Sequence, residues 1–259
     1  MGVLYGEGKK IEEDPNKIID SNNPVLQSWE SSDRTDFHSN EYRSKITKAK
    51  FAICDKVPEN KIESWDVSEA KNKSVMAWVE SDGADGYILT IASKTKIIAN
   101  PISNYIFYQM TNLTEVENIE VLDTSNVTSM DSMFYLCINL TNLDLSSLSL
   151  KNVKNMRYMF YGCTNLNNLK LPEINYKSGI DNSIEFWSMF YNCKKLSTTL
   201  SIRFNSGIIY TITSTGMFEG AATEPGAKIV VKCNLQEKFI DELIATKSAN
   251  SNVVKELLQ

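Results

Sequence analysis

The chain has 259 residues, of which 42% are hydrophobic and 23% charged, and its formal net charge is −5. This composition is typical of a soluble globular chain with one continuous core. It lacks the concentrated cationic face that nucleic-acid binding requires, so we expect no nucleic-acid partner. No apolar run approaches the length of about 18 residues that spans a membrane, so we expect no membrane insertion within this chain.

The first segment, residues 1–41, is polar and irregular, with repeated Asp, Asn, Ser and Pro. This pattern predicts a loosely packed arm or a linker. The only histidine of the chain, His38, lies in it. We expect an exposed His38 without a catalytic role, because no Ser–His–Asp or Cys–His arrangement can be built from it around the core.

Residues 42–100 are rich in β-branched and aromatic residues, which predicts strands at about 45–54, 74–79, 86–92 and 96–99. The run 82–86, Asp-Gly-Ala-Asp-Gly, favours a hairpin turn over a calcium loop, because it lacks the further spaced oxygen ligands. We expect this β-rich module to be an N-terminal cap, since the open end of a repeat array exposes unpaired strand edges.

Residues 101–232 contain an internal repeat. The phrase Met-Phe-Tyr-x-Cys occurs at 133–137, 159–163 and 189–193, and degraded copies occur at 106–110 and 217–221. Successive copies are 27, 26, 30 and 28 residues apart, and such a period is typical of solenoids. The expected fold class is therefore α/β: a leucine-rich-repeat-like right-handed solenoid of about five coils, with a β-rich N-terminal cap and a helix-containing C-terminal cap.

Each repeat also shows a strand pattern. The pattern Leu-x-x-Leu-x-Leu at 140–145 and 166–171 predicts a strand whose leucines face the core, with Asp144 and Lys170 facing outward. Met pairs three residues apart, such as Met130 and Met133, predict a short helix or 3₁₀ turn in the rest of each coil.

One cysteine recurs in each full phrase, at Cys137, Cys163 and Cys193. Three readings are open: a metal site, disulfides and an inert buried ladder. The ladder is favoured, because the repeats contain no histidine and thiols at the same phase of stacked strands have parallel Cβ vectors. We expect no metal and no other cofactor.

The last segment, residues 233–259, is predicted to form a C-terminal cap. Strands are predicted on either side of its helix, at 229–231 and 252–254. The apolar residues that lie on one face at helical spacing are Leu235, Phe239, Ile240, Leu243 and Ile244.

A family resemblance rests on the repeat residues. The run 122–130, Met-Phe-Tyr at 133–135 and the strand pattern at 140–146 resemble the BspA-type leucine-rich repeat, also described as DUF285 or the mycoplasma lipoprotein-associated repeat. The resemblance covers about residues 101 to 230. It implies a bacterial cell-surface or secreted protein that adheres to a host or matrix protein, and it implies no catalytic residues. The chain itself shows no signal peptide or anchor pattern.

The leading hypothesis is a non-enzymatic, monomeric protein-binding module. Two alternatives stay open. One is a structural spacer of a larger surface protein, and the other, disfavoured, is an enzyme whose site would use Asp55, Glu63 and Asp66 of the N-terminal module. The candidate binding residues, expected on the exposed strand face, are Glu115, Glu117, Asn142, Asp144, Asn168 and Lys170.

Overall fold

The structure is a computed structural model that describes residues 14–176, 183–205, 210–234 and 237–258, with the backbone alone for 237–239. Two short 3₁₀ segments lie at Arg43–Lys45 and Ile119–Val121. The α-helix α1 spans Glu237–Ile244. The strands are β1 Ile46–Ile53, β2 Glu63–Asp66, β3 Met76–Ser81, β4 Tyr87–Ser93, β5 Ile97–Ile98, β6 Glu115–Glu117, β7 Leu122–Asp123, β8 Asn142–Asp144, β9 Asn168–Lys170, β10 Ile174–Tyr176, β11 Ser183–Glu185, β12 Thr198–Phe204, β13 Thr211–Thr213, β14 Ile229–Cys233 and β15 Val253–Leu257.

These strands form several small sheets. The largest has the order β2-β3-β4-β1-β6 and is mixed, because β1 pairs in parallel with β4 and β6 while β2, β3 and β4 are antiparallel. The second, β10-β12-β14-β15, is all parallel. Three parallel pairs complete the set: β5-β7, β8-β9 and β11-β13. Parallel pairing joins equivalent positions of successive repeats.

The predicted fold class is wrong. The α/β leucine-rich-repeat-like right-handed solenoid of about five coils is replaced by a mostly β structure, in several small sheets that are parallel or mixed, with one α-helix in the described part of the chain. The short helices expected in each repeat are turns instead.

Left-handed backbone explains why those segments are not helices. Each repeat carries two residues with φ between +48° and +71°, one directly before the phrase and one at its fourth position, and a right-handed helix excludes such angles. In the second repeat these are Ser132 and Leu136, whose N–H groups donate to the carbonyls of Arg157 and Tyr161 in the next repeat, at 2.9 and 2.8 Å. Of the three N–H groups between them, those of Met133 and Tyr135 bond within the turn, and that of Phe134 donates to the Met159 carbonyl of the next repeat at 2.9 Å. The phrase is therefore held both locally and across repeats.

The core is built from columns of equivalent side chains. The phenylalanine rings of successive repeats stack with centroids 5.1–5.8 Å apart and interplanar angles of 20° or less. These rings belong to Phe107, Phe134, Phe160, Phe190 and Phe218, and all are fully buried. The predicted leucine positions Leu143 and Leu169 are also buried, while Asp144 and Lys170 are exposed, so the inward and outward assignments are confirmed.

The cysteine column is buried as the ladder reading predicts. Cys137, Cys163 and Cys193 are fully buried, and each thiol donates to a phenylalanine carbonyl of the preceding repeat at 3.0–3.1 Å. Burial raises the pKa of all three thiols, that of Cys163 to about 12. The thiolate is therefore disfavoured at neutral pH.

The N-terminal strands lie where the sequence predicts them, in β1, β3, β4 and β5. The 82–86 turn is the expected hairpin, with Ser81 opposite Tyr87. Asp82 closes it by accepting the N–H groups of Ala84 and Gly86 at 2.9 and 3.1 Å. Its other carboxylate oxygen accepts the Thr47 hydroxyl at 2.8 Å, which ties the turn to β1.

Residues 14–41 are not a loosely packed arm. Leu26, Trp29 and Phe37 are buried in the main core, and Ile18 is buried in a smaller cluster beside the large sheet. Isolated bridges join this segment to the β5 region and to Ser68. The proposed boundaries at 41, 100 and 232 stay predictions.

At the C-terminus, the predicted helix and both flanking strands are present as α1, β14 and β15. Ile240 and Leu243 are buried, which confirms the apolar face for these positions. Leu235 and the side chain of Phe239 lie outside the described residues.

Candidate functional site: a groove on the strand face

The candidate binding residues lie on three short strands of successive repeats, β6, β8 and β9. The structure brings five of the six together around one groove of about 540 Å³, and Glu117 lies on β6 outside its lining. The groove is lined by Thr114, Glu115, Val116, Thr141, Asn142, Leu143, Asp144, Asn168 and Lys170.

The groove lies where strand pairing is interrupted. β6 is the edge of the five-stranded sheet and β8 is the edge of the β8-β9 pair. The two strands contact each other, yet in residues 114–145, all of which are described, no backbone bridge joins them. Within the part of the chain that the structure describes, each strand therefore presents an unpaired edge to the same groove, and such edges are templates for another strand.

The floor of the groove is apolar and its rim is polar. Leu143, 4% exposed, and the half-buried Val116 form the floor between the two strand edges. Asn142 and Asn168 stand exposed above it. This composition fits a ligand that satisfies backbone groups and places a side chain on the floor.

The charged rim residues are paired with their neighbours. Lys170 donates to Asp144 at 2.8 Å and Lys48 to Glu115 at 3.0 Å. The hydrogen bond from Lys170, helped by those from Ser146, lowers the pKa of Asp144 to about 2. The rim is thus close to neutral, and its ion pairs fix the side chains of adjacent strands in place rather than offering an unpaired charge.

The carboxylates of the enzyme alternative have separate partners. Asp55 is 91% exposed and lies 3.7 Å from Lys94. Asp66 accepts the backbone N–H groups of Ser68 and Lys73. Glu63 accepts the N–H of Ser64. Each of the three carboxylates is therefore engaged by its own neighbours in the N-terminal module.

The described residues also lack the features of two other classes of site. Among these residues no group of three or more His, Cys, Asp or Glu side chains is placed to hold a metal ion. Within the same residues no helix combines the length and the hydrophobicity that crossing a membrane requires.

His38 is not exposed, contrary to the expectation. It is 2% exposed, and its Nδ1 lies 2.9 Å from the carboxylate of Asp36 while its Nε2 lies 3.0 Å from the carbonyls of Tyr105 and Ile106. Both ring nitrogens lie within hydrogen-bond distance of oxygen atoms, so the ring is held at both ends. The cluster joins the N-terminal segment to the first repeat and lines none of the grooves described here.

Asp36 is the anionic half of this cluster. It also accepts the indole N–H of Trp29 at 2.7 Å and the side-chain amide of Gln27 at 3.1 Å. Burial alone raises the pKa of this carboxyl, but the hydrogen bond and charge of His38 outweigh it, and the pKa lies below its ordinary value.

A second surface was missed at the sequence level. The third residue of the phrase is a tyrosine in four copies, and the rings of Tyr108, Tyr135, Tyr161 and Tyr191 stack with centroids 5.0, 4.9 and 4.6 Å apart. These rings are half-buried, unlike the phenylalanines beside them. The signal was present, because an amphipathic tyrosine recurs where a buried column would favour another phenylalanine.

Residues 102–225, a little under half of the chain, match the family model described as "Mycoplasma protein of unknown function, DUF285". The match supports the DUF285 family for the repeat region. A search of curated proteins and a search of solved structures each found no match. The family description names no function, so a function has to be inferred from the geometry of the surface.

Proposed function

We propose that the chain is a non-enzymatic protein-binding module that holds an extended segment of a partner protein in the groove between β6 and β8. The observation that carries the proposal is the pair of unpaired strand edges facing one groove over an apolar floor. An extended peptide that adds to a strand edge gains main-chain hydrogen bonds and reads alternate side chains.

The dimensions suit a short segment. β6 and β8 each have three residues, so an added strand would pair over about three or four residues. The α-carbons of the two strands come within 8 Å of each other, so the strands would have to separate to about 10 Å to admit the segment. A volume of about 540 Å³ lies within the common range for ligand sites. The added segment would place one apolar side chain toward Leu143 and Val116, and its neighbours toward the exposed asparagines.

The rim supports selection by hydrogen bonding rather than by net charge. Because Asp144 and Lys170 largely neutralise each other, a ligand would gain little net attraction from contacting either charge. We therefore expect affinity that depends weakly on salt, unlike binding steered by an unbalanced charged face.

The wider setting is proposed on the residue resemblance alone. We propose that the repeats are of BspA type and that the chain belongs to a bacterial cell-surface or secreted protein whose adhesion uses this surface. The DUF285 match over 102–225 is compatible with that setting and does not test it.

The experiment selects peptides on the immobilised chain from a random linear heptapeptide library and then maps the best binder by amide hydrogen exchange. We expect slower exchange in 115–117 and 142–144, because strand addition pairs those edges. Protection confined to residues outside β6, β8 and β9 would overturn the proposal, as would failure to enrich any peptide.

A matched pair of variants tests the site itself. Glu115 lines the groove, and Glu117 lies two residues along the same strand outside it. Glu115→Arg is expected to lower the affinity for the selected peptide by about tenfold or more, equal to about 1.4 kcal/mol. Glu117→Arg is expected to lower it by less than about twofold. Equal effects of the two variants would show that charge, and not the groove, determines binding.

A further inference from the structure

The half-buried tyrosines of the repeats form a surface with two rows of side chains. The inner row is the stack of Tyr108, Tyr135, Tyr161 and Tyr191. Because these rings cover each other face to face, the inner row presents mainly ring edges and hydroxyls to solvent. A ligand that stacks on an aromatic face therefore needs rings from elsewhere.

The outer row comes from the residue directly before each phrase. It carries Tyr105, Ser132 and Tyr158 in three successive repeats, so a ring is missing at the middle position. Backbone hydrogen bonds align these repeats: Tyr105 N–H donates to Asp131 and Ser132 N–H to Arg157. With strands about 4.8 Å apart, the α-carbons of Tyr105 and Tyr158 lie about 10 Å apart. The gap leaves a notch of about 570 Å³ above Ser132.

The notch is polar at its sides. Ser132, 5% exposed, forms the floor and donates its hydroxyl to Asp131 at 2.6 Å. Burial raises the pKa of the Tyr105 phenol, and the nearby carboxylate of Asp131 raises it further. The notch thus combines aromatic walls, a carboxylate, a buried hydroxyl and, on the far side, a guanidinium.

Arg157 supplies that guanidinium and is held by aromatic contacts. Its Cζ lies 4.7 Å from the Trp187 ring centroid and 5.6 Å from that of Tyr158. Its ion pair with Glu185 is long, at 3.9 Å between Nη1 and the carboxylate, so this contact uses little of the guanidinium's capacity to donate. Donor capacity therefore remains at the edge of the notch.

We propose that this notch binds a neutral pyranose unit of a glycan. The C–H face of the sugar ring would stack on Tyr105 or Tyr158. Adjacent hydroxyls would donate to the Asp131 carboxylate and accept from Arg157, since both groups accommodate paired hydrogen bonds. The proposal does not depend on the peptide groove, which lies on the β6, β8 and β9 strands and shares no lining residue with the notch.

The lining favours a sugar over a proline-rich peptide. A polyproline segment docks along a continuous aromatic groove, whereas this notch is one repeat wide and ends at Tyr105 and Tyr158. The carboxylate and the guanidinium would also need partners that prolines do not carry. Asp131 disfavours an acidic sugar, since like charges at close range repel.

The experiment measures saturation-transfer NMR between the full chain and the methyl glycosides of glucose, galactose, mannose and N-acetylglucosamine. The key variant is Ser132→Tyr, which completes the outer row and fills the notch. Its backbone is suited to tyrosine, because Ser132 has φ 57° while Tyr105 and Tyr158 hold φ 62° and 54° at the equivalent positions. Ser188→Tyr, in the same column with φ 48° but outside the notch, is the matched control.

We expect transfer to at least one glycoside, a loss of about tenfold or more in Ser132→Tyr, and retention in Ser188→Tyr. Tyr105→Ala, which removes one wall of the notch, should weaken binding of the same glycoside, and this test stands even if Ser132→Tyr does not fold. Glu115→Arg should leave binding of the glycoside unchanged, so this variant distinguishes a failure of the peptide groove from a failure of the notch. Absence of transfer to all four glycosides, or equal transfer in Ser132→Tyr and the native chain, would overturn the proposal. Binding of a polyproline peptide that is lost in Ser132→Tyr, without any glycoside binding, would assign the notch to peptide.

Discussion

At the residue scale, the strands of the repeats separate buried side chains from exposed ones. Leu143 and Leu169 are 4% and 2% exposed, whereas the side chains of Asp144 and Lys170 are 51% and 61% exposed. Burial removes apolar surface from water, while an exposed ion pair is screened by solvent and salt. The leucines should therefore dominate the stability of this region.

The first prediction compares these two classes. Leu143→Ala and Leu169→Ala should each lower the free energy of unfolding by about 2–5 kcal/mol. Asp144→Ala and Lys170→Ala should each change it by less than about 0.5 kcal/mol. Denaturant melts of the four variants measure the difference, and a reversed order would mean that the strand faces are assigned the wrong way round.

The second prediction concerns the thiol column. Cys137, Cys163 and Cys193 should resist a thiol reagent in the native protein, because burial raises the pKa of each thiol and closes access to it. All three should react once the chain is unfolded in denaturant. Mass spectrometry after timed labelling reads each site separately. The partly exposed Cys54 provides the internal comparison, and rapid native labelling of the column would contradict its burial.

The third prediction concerns acid and the buried Asp36 carboxylate. Its pKa in the folded state lies below the ordinary value of 3.8, so its contribution is present above that value and is lost as the pH falls through the folded pKa. The free energy of unfolding should therefore decrease below about pH 4. Asp36→Asn should flatten this dependence and, by weakening the buried hydrogen bonds to Trp29 and His38, lower the free energy of unfolding by about 1–3 kcal/mol.

Asp144→Asn is the control for that experiment. The pKa of Asp144 is also lowered, to about 2, but its side chain is half exposed and solvent screens its ion pair. It should change the acid dependence far less than Asp36→Asn does. An equal effect of both variants, measured by urea melts between about pH 3 and 7, would show that the buried cluster is not the acid-sensitive element.

At the element scale, the turns of the repeats are defined by left-handed residues. The fourth residue of the phrase is Leu136, Gly162, Asn192 and Gly220 in successive repeats, with φ of 55°, 71°, 58° and 69°. Glycine and asparagine adopt this conformation readily, and β-branched residues do not. The N–H of this residue donates to the next repeat in the first three cases, so the conformation is needed for stacking.

The fourth prediction follows from that column. Leu136→Asn matches Asn192 at the equivalent position and should keep the turn. Leu136→Val places a β-branched side chain at positive φ and should be less stable than Leu136→Asn by about 1–2 kcal/mol. Thermal or urea melts of the two variants give the comparison. A valine variant as stable as the asparagine variant would indicate that the turn is not left-handed at this residue.

The same column explains what the sequence could and could not predict about these elements. Alternation in 140–145 identified β8 and its buried leucine, because a strand leaves a period of two. Met130 and Met133 are apolar residues three positions apart, which predicts one turn of a helix. The same spacing also fits the non-helical turn that the structure shows. Only the left-handed backbone at Ser132 and Leu136 separates the two, and neither serine nor leucine signals positive φ in a sequence.

At the scale of the whole molecule, periodic features were predictable and single-copy features were not. Copies spaced 26 to 30 residues apart are enough to predict the leucine, phenylalanine and cysteine columns from the sequence. The contacts of residues 14–41 have no repeat to reveal them, and their buried residues, such as Trp29 and Phe37, are isolated among polar neighbours. Long-range packing of that kind overrides local composition, and this is why a polar segment with few apolar residues predicts an arm where the structure has a packed segment. For the groove between β6 and β8, the sequence predicts only an exposed strand face, because a break in strand pairing leaves no sequence signal.

The last prediction follows from the packing of the N-terminal segment. Trp29 and Phe37 are 3% and 0% exposed, their rings lie 5.6 Å apart, and Phe37 contacts Trp65 of β2 at 6.1 Å between centroids. His38 joins the same segment to the carbonyls of Tyr105 and Ile106. Deleting residues 1–41 would uncover these surfaces together, so we expect an aggregating or unfolded product rather than a soluble one.

Point variants show whether packing or mere chain length matters. Trp29→Ala and Phe37→Ala should each cost about 3–5 kcal/mol in the free energy of unfolding, because each leaves a large cavity beside the large sheet. Glu30→Ala, at an exposed position in the same segment, should cost less than about 0.5 kcal/mol. If the deleted chain melts cooperatively at the native temperature and the two aromatic variants match Glu30→Ala, the segment is an appendage and the core closes without it. A loss shared by the deletion and both aromatic variants would instead make residues 14–41 an integral part of the fold, on which the first repeat packs.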